Sequence, residues 1–137
     1  MQEEKKTLNG FETIEIDHRV YSRNVIDKWH WSKKQKLKNE YRILIRNQMR
    51  LNKIEPLKIK KNNSVVKKPK KPFCKIKIKC YMKRRIDYDN LWGGVKQLID
   101  AMSNEGFIFD DCFTYLDTAL EQIKSKEFKI IVVRLVN

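Results

Sequence analysis

From Cys74 to Lys83 apolar and polar residues take turns without a break. Cys74, Ile76, Ile78, Cys80 and Met82 alternate with Lys75, Lys77, Lys79, Tyr81 and Lys83. A period of two sends successive side chains to opposite faces, so the segment predicts a strand with one buried face and one cationic outer face. A shorter alternation follows Gly10, where Phe11, Thr13 and Glu15 interleave with Glu12, Ile14 and Ile16, and predicts a second strand. From Ser32 the period changes. Leu37, Tyr41, Leu44, Ile45, Gln48 and Met49 fall at helical spacing, which predicts a helix from Ser32, its N-cap, to about Asn52. Lys33, Lys34, Lys36, Lys38, Arg42, Arg46 and Arg50 cover much of the rest of that helix, and this cationic face could lie along a phosphate backbone.

A second helix is read in "VKQLIDAM", where Val95, Leu98, Ile99 and Met102 sit at i, i+3, i+4 and i+7, with Gly106 as its stop. Lys96 and Asp100 are i, i+4 neighbours beside that apolar stripe. Gly93 and Gly94 precede it. Each glycine inside a helix costs about 1 kcal/mol relative to alanine, so the pair is expected to shape the turn feeding the helix or to let a backbone approach closely. The segment from Tyr115 to Asn137 reads as two strands joined near Ser125–Lys126. The second is apolar on both faces, with Ile130 and Val132 on one and Ile131, Val133 and Leu135 on the other, which suits a sheet centre or a subunit interface. These elements predict a single α+β domain over residues 1–137, with a small mixed sheet and two main helices.

Charge changes the picture. The 137 residues carry a formal net charge of +14, unevenly distributed. Met1 to Tyr41 is net +2, Arg42 to Arg85 is net +16 with Glu55 its one acid, and Ile86 to Asn137 is net −4. Such a block attracts polyanions, and phosphate contacts dominate nucleic-acid affinity. A merely solvated face fits a block with one acid in forty-four residues less well. A membrane surface fits less well still, because no basic amphipathic helix with a Trp/Phe/Leu face stands out. The basic loop at about 53–72 has no clear period and is expected to be mobile and to order on nucleic acid. No run of eighteen apolar residues and no apolar signal-peptide core is present, so a cytoplasmic protein without a membrane partner is expected.

Cys74, Cys80 and Cys112 form no CxxC pair and are expected to be buried free thiols. His18 and His30 have no metal-binding spacing and are expected to serve surface or packing roles. Trp29 and Trp31 could stack on bases, although packing under the first helix is the commoner use of such residues.

"RRIDYDN" places Asp87 and Asp89 behind a run of positive charge. If the strand from Cys74 continues through Ile86, both carboxylates project on the outer face with Lys75, Lys77 and Lys79. Outward paired carboxylates repel each other and recruit a cation. A hard ion such as Mg²⁺ is held by a few carboxylates, waters and substrate phosphates. The plainer reading has Asp89 or Asn90 capping the next helix. Asp110 and Asp111 end a short apolar run after that helix, and a strand–helix–return path can bring either one back to Asp87 and Asp89.

The run "RIDYDNL…VKQLIDAMSNEGFIFDD" resembles the RusA family of Holliday-junction resolvases of bacteria, prophages and phages. The matching residues are Asp87, Asp89, Asn90 and Leu91, then Lys96, Asp100-Ala101-Met102, Gly106 and Asp110-Asp111. Upstream the resemblance is one of layout alone. It implies a crossover junction endodeoxyribonuclease that acts in recombination and repair, as a homodimer, on four-way DNA junctions. It implies Mg²⁺ dependence, with Mn²⁺ able to substitute. It also implies that Asp87, Asp89 and Asp111 are the metal-binding, catalytic carboxylates and that Lys96 assists them. Trp92 to Gly94 reads as a three-residue insertion against the family pattern. By simple counting Gly93 takes the lysine's place, whereas aligning Lys96 keeps the downstream spacing.

Lys75, Lys77, Lys79, Lys83, Arg84 and Arg85 are the expected DNA contacts, and the C-terminal strands the expected dimer interface. Asp100 is expected to be an ion-pair or capping acid, and Asp110 a packing or hydrogen-bonding neighbour. A non-catalytic nucleic-acid-binding or regulatory protein that retains the fold is the alternative. A ribosome-associated RNA binder, supported by charge alone, comes third.

Overall fold

The computed structural model describes residues 7–8, 11–57, 60–61, 64–65, 74–110 and 116–136. Its elements run β1 (Thr7–Leu8), β2 (Phe11–Ile16), α1 (Arg23–Ile26), α2 (Trp31–Leu51), β3 (Lys60–Lys61), β4 (Ser64–Val65), β5 (Cys74–Met82), α3 (Tyr88–Gly94), α4 (Lys96–Glu105), β6 (Leu116–Lys124) and β7 (Lys129–Val136). The main sheet is mixed, in the order β1-β2-β7-β5-β6. The edge strand β6 runs parallel to β5, and every other neighbour is antiparallel. The α+β class, the mixed sheet and the two main helices agree with expectation.

Alternation in the strands becomes a two-sided sheet. Ile14, Ile16, Cys74, Ile76, Ile78, Cys80, Met82, Ile130 and Val132 are buried in one core cluster with Leu37, Tyr41, Ile45 and Met49 of α2 and Leu98, Ala101 and Met102 of α4. Both long helices therefore cover the same face. On the opposite, open face Phe11, Lys75 and Lys77 are exposed, while Thr13, Lys79, Ile131, Val133 and Leu135 are half-buried. The doubly apolar β7 is a central strand, paired with β2 on one side and β5 on the other.

Several polar groups tie the layers together. Tyr41, deep in the core, donates its hydroxyl to the Arg19 carbonyl at 2.6 Å. Burial pushes its phenol well above the ordinary range. Glu105, at the end of α4, accepts from Arg42 Nε at 2.7 Å and Arg46 Nε at 2.8 Å on α2. Burial pushes the Glu105 carboxyl up, but the hydrogen bonds and charges of Arg46 and Arg42 together outweigh it and hold the group below its usual value. The cationic face expected on α2 is thus partly committed inside the protein. Arg134, in the middle of β7's apolar run, is buried. It pairs with the Glu12 carboxylate, donates to the Phe107 carbonyl at 2.8 Å, and reaches the Glu55 carbonyl at 3.4 Å.

Other local expectations fare unevenly. The N-cap of α2 is His30 rather than Ser32, and the Ser32 amide donates to His30 Nδ1 at 3.2 Å. His18 packs on Tyr41 with ring centroids 4.9 Å apart and bonds Glu40 at 2.9 Å. Both histidines therefore have structural roles. Trp29 packs edge-on against Tyr21, whereas Trp31 stays 70% exposed and does not pack beneath the helix. Cys74 and Cys80 are buried free thiols, pushed up by burial to about 11 and about 12; Cys112 lies outside the described residues. Within the basic segment, Lys60 pairs with Val65 and Lys61 with Ser64, a short hairpin that the absence of a period concealed. The rest of that segment beyond Leu57 lies outside the described residues. Among the described residues no helix is long and apolar enough to cross a membrane.

Candidate functional site

The acid pair does not sit on an extended β5. That strand ends at Met82, and the chain bends at Lys83 and Arg84. Gln122 of β6 then clamps Ile86 at two points: the Ile86 amide donates to Oε1 at 2.9 Å, and Nε2 donates to the Ile86 carbonyl at 2.8 Å. Both backbone groups of Ile86 are thereby satisfied by a side chain instead of a neighbouring strand, and α3 begins at once. Asp87 is its N-cap, in extended backbone (φ −61°, ψ 144°) and without a capping side-chain bond; Asp89 lies in its first turn. Both are exposed. Among the described residues neither carboxylate has a hydrogen-bond or ion-pair partner. The helix N-terminus, with its unpaired amides, favours negative charge there. The expectation that the two acids share a strand face with Lys75, Lys77 and Lys79 is therefore replaced by a helix-start placement, closer to the capping reading.

Gly93 and Gly94 are helical, not a turn. The sequence alternative, close approach, is what occurs. A Cβ on Gly94 would stand 1.9 Å from the Tyr21 carbonyl oxygen, so α3 lies directly against the chain entering α1. A Cβ on Gly93 would meet the Arg23 side chain at 2.4 Å. Close packing of this kind offsets the low helix propensity of both residues.

Lys96 opens α4 and is exposed. It lines a cleft of about 520 Å³ with Arg23, Lys34, Trp92 and Asp100. No ion pair joins Lys96 to Asp100 among the described residues. Asp87 lines a different groove of about 450 Å³, with Arg85, Tyr88 and Glu121. Lys96 and Asp87 thus face separate grooves flanking α3.

The six expected DNA contacts divide in two. Lys83, Arg84 and Arg85 are exposed at the end of β5, immediately before Asp87. Lys75, Lys77 and Lys79 project from the open face of the sheet, where their β7 partners are Leu135, Val133 and Ile131. Lys77 Nζ is 3.3 Å from Glu121. The open face is therefore less basic than the sequence of β5 alone suggests.

Asp110 is half-buried. Asp111, the third expected carboxylate, lies outside the described residues. Among the described residues no group of three or more His, Cys, Asp or Glu side chains gathers as a metal site. Asp87 and Asp89 do supply the donor type that a hard divalent ion takes, two open carboxylates without competing partners. Sequence reasoning missed Arg23 and Lys34 as neighbours of the motif, because only the fold brings α1 and α2 to its side. The adjacent glycines were the one local hint of that close approach. No family model and no curated protein matches the chain.

Proposed function

We propose that the protein is a Mg²⁺-dependent, structure-selective endonuclease that resolves four-way DNA junctions as a homodimer. The observation that carries this reading is the state of Asp87 and Asp89. Two carboxylates are held out to solvent without partners, directly behind Lys83, Arg84 and Arg85, in a chain of net charge +14. The resemblance of Asp87 to Asp111 to the RusA pattern supports the same reading.

In this mechanism Lys83, Arg84 and Arg85 bind the phosphates on either side of the scissile bond, and counterion release drives the contact. The Ile86–Gln122 clamp fixes the start of α3 and so orients Asp87 and Asp89. These two, with Asp111, would hold Mg²⁺. When bound, the ion supplies Lewis-acid polarisation of the phosphate and a water of lowered pKa. Lys96 acts as a further cation toward the developing negative charge. A C₂ pair of chains matches the approximate two-fold symmetry of a junction, which needs a nick in each of two opposed strands. The apolar β7 stripe on the open sheet face is the surface offered for that pairing.

One observation favours the alternative, a non-catalytic DNA-binding protein that retains the fold: Lys96 and Asp87 line different grooves. A synthetic four-way junction, incubated with the protein with and without Mg²⁺ and run on a denaturing gel, decides between them. Metal-dependent, symmetrically placed nicks are expected. A junction bound and shifted but never cut would leave the binding protein as the better reading.

A further inference from the structure

The cleft that holds Lys96 contains more than that lysine. Arg23 of α1, Lys34 of α2 and Lys96 of α4 line it together, so three separate helices each deliver one cation to the same space. Asp27 and Asp100 also line it. Asp27 is engaged by Arg23, at 3.4 Å. The lining therefore keeps a net positive charge of one, with Asp100 as the carboxylate not tied to Arg23. Gln97, in the same wall, has its side-chain carbonyl oxygen buried without a hydrogen-bond partner among the described residues. An acceptor buried in that way is costly to leave unmet.

At the rim stands Trp92, 45% exposed, an unusual place for the largest apolar side chain in the absence of a partner. Trp31, 70% exposed, lies three residues before Lys34 on α2, hence on the same side of that helix. Cations that converge in a cleft edged by the exposed indole ring of Trp92 suit a ligand with a phosphate and a flat face. Single-stranded nucleic acid binds in this way, with phosphates in a basic groove and bases stacked on aromatic rings.

The position of the cleft adds to the argument. Gly93 forms part of its wall, and Arg23 lies over Gly93 with its Cδ 2.4 Å from where a Cβ would stand. Gly93 is four residues after Asp89 in α3, so both lie on one helix face, about 6 Å apart along the axis. The cleft therefore opens one helical turn from Asp89.

We infer that this cleft captures one unpaired nucleotide of a DNA strand, its base stacked on Trp92 and its phosphate among Arg23, Lys34 and Lys96. Asp100 accepts from the N–H donors that every base edge carries, and a turn of the Gln97 side chain would bring its buried oxygen to the same donors. The inference rests on the nuclease reading for its ligand class and extends it. The cleft selects strands that can unpair beside the acid pair, so the junction is recognised by its open centre as well as by its charge.

The test is a titration of fluorescein-labelled octathymidylate, followed by anisotropy, in chelator without divalent ion. A blunt duplex of equal length serves as the control. The unaltered protein is expected to bind the single strand with quenching of tryptophan fluorescence. Trp92→Leu is expected to weaken single-strand binding about tenfold or more and to leave duplex binding unchanged. Lys34→Gln, a change on the helix surface, is expected to lower the slope of log affinity against log salt by about 0.7 for the single strand. Unchanged single-strand affinity in Trp92→Leu would overturn the inference, as would an equal loss for duplex and single strand. The chelator separates this outcome from catalysis. Trp92-dependent capture without any junction cleavage would sink the nuclease and keep the cleft, and the converse result would do the reverse.

Discussion

Lys77 stands directly opposite Val133 in the β5–β7 register, and both side chains line the open face of the sheet. A phosphate-gripping lysine row and an apolar dimer stripe were expected from separate segments of sequence, yet here they are adjacent. The rows Phe11–Leu135–Lys75–Asp117, Thr13–Val133–Lys77–Ala119 and Glu15–Ile131–Lys79–Glu121 cross the face from β2 to β6. Each lysine thus has an apolar neighbour on one side, and an acid ends two of the three rows. A face of that composition suits a second copy of the chain better than DNA. Val133→Asp is expected to convert a dimer to a monomer in light scattering at micromolar concentration. Changing Lys83, Arg84 and Arg85 together to Gln should reduce the salt slope of duplex binding by roughly 0.9 per lost phosphate contact. The same change at Lys75, Lys77 and Lys79 should have a smaller effect. If the sheet lysines give the larger loss, the open face belongs to DNA.

Asp87→Asn and Asp89→Asn are each expected to abolish junction cleavage while binding persists or tightens. Removing an anion takes away a donor for the divalent ion and also lessens the repulsion of phosphate. Both carboxylates are exposed, so neither change should disturb folding. Cleavage gels and mobility shifts on the same junction provide the two readouts, and full cleavage by both variants would end the nuclease reading.

Gly94→Ala tests the contact between α3 and the chain before α1. In an open helix the substitution would stabilise by about 1 kcal/mol. Here the new methyl group meets the Tyr21 carbonyl, which is backbone and cannot swing aside. A net loss of roughly 1–3 kcal/mol is expected from the overpacking, visible as a lowered urea midpoint. A rise in stability would show that α3 can back away from Tyr21.

Glu105 links stability to pH. Its folded carboxyl titrates below the usual glutamate value, held there by Arg46 and Arg42 against the upward push of burial. A depressed folded pKa means that the carboxylate contributes stability above the unfolded value of about 4.3, and that this contribution fades as pH falls through the lower folded value. Urea midpoints measured downward from neutral pH should therefore drop more steeply in the unaltered protein than in Glu105→Gln. Parallel curves would mean that the α2–α4 clamp contributes nothing. Arg46 is half exposed, so added salt should reduce the difference.

Much of the fold was legible where one face of an element meets water. Cys74 to Met82 alternates because β5 has a core side and an open side, and Leu37, Tyr41, Ile45 and Met49 repeat because α2 lies on the sheet. Features that depend on partners distant in sequence were not legible. The end of β5 is set by Gln122 acting on Ile86, thirty-six residues away, and no local pattern marks it. The helical state of Gly93 and Gly94 depends on Tyr21 and Arg23. Arg134 sits in an apolar run as though it were an exposed interruption, and its pairing with Glu12 and its bond to the Phe107 carbonyl make its burial tolerable. For the candidate site, the sequence singled out Asp87 and Asp89 correctly as outward carboxylates. It assigned them to the wrong element, because a two-residue spacing is compatible with a strand face as well as with a helix start.

β2 and β5 share no edge; β7 lies between them and supplies the ladder on each side. Of the sheet's strands β7 is the last in the chain, and its pairings join residues as far apart as Phe11 and Leu135. Contacts of such long range slow folding, because loop closure is costly before any of them forms. A chain leaving the ribosome must therefore carry the inner edge of β2, and later that of β5, unmatched until β7 is made. Unpaired edges are where nascent chains stick to one another. The lysines of β5 would repel the β5 edge of a second chain until β7 arrives, so the charges written along this strand guard the assembly of the sheet as well as its finished surface.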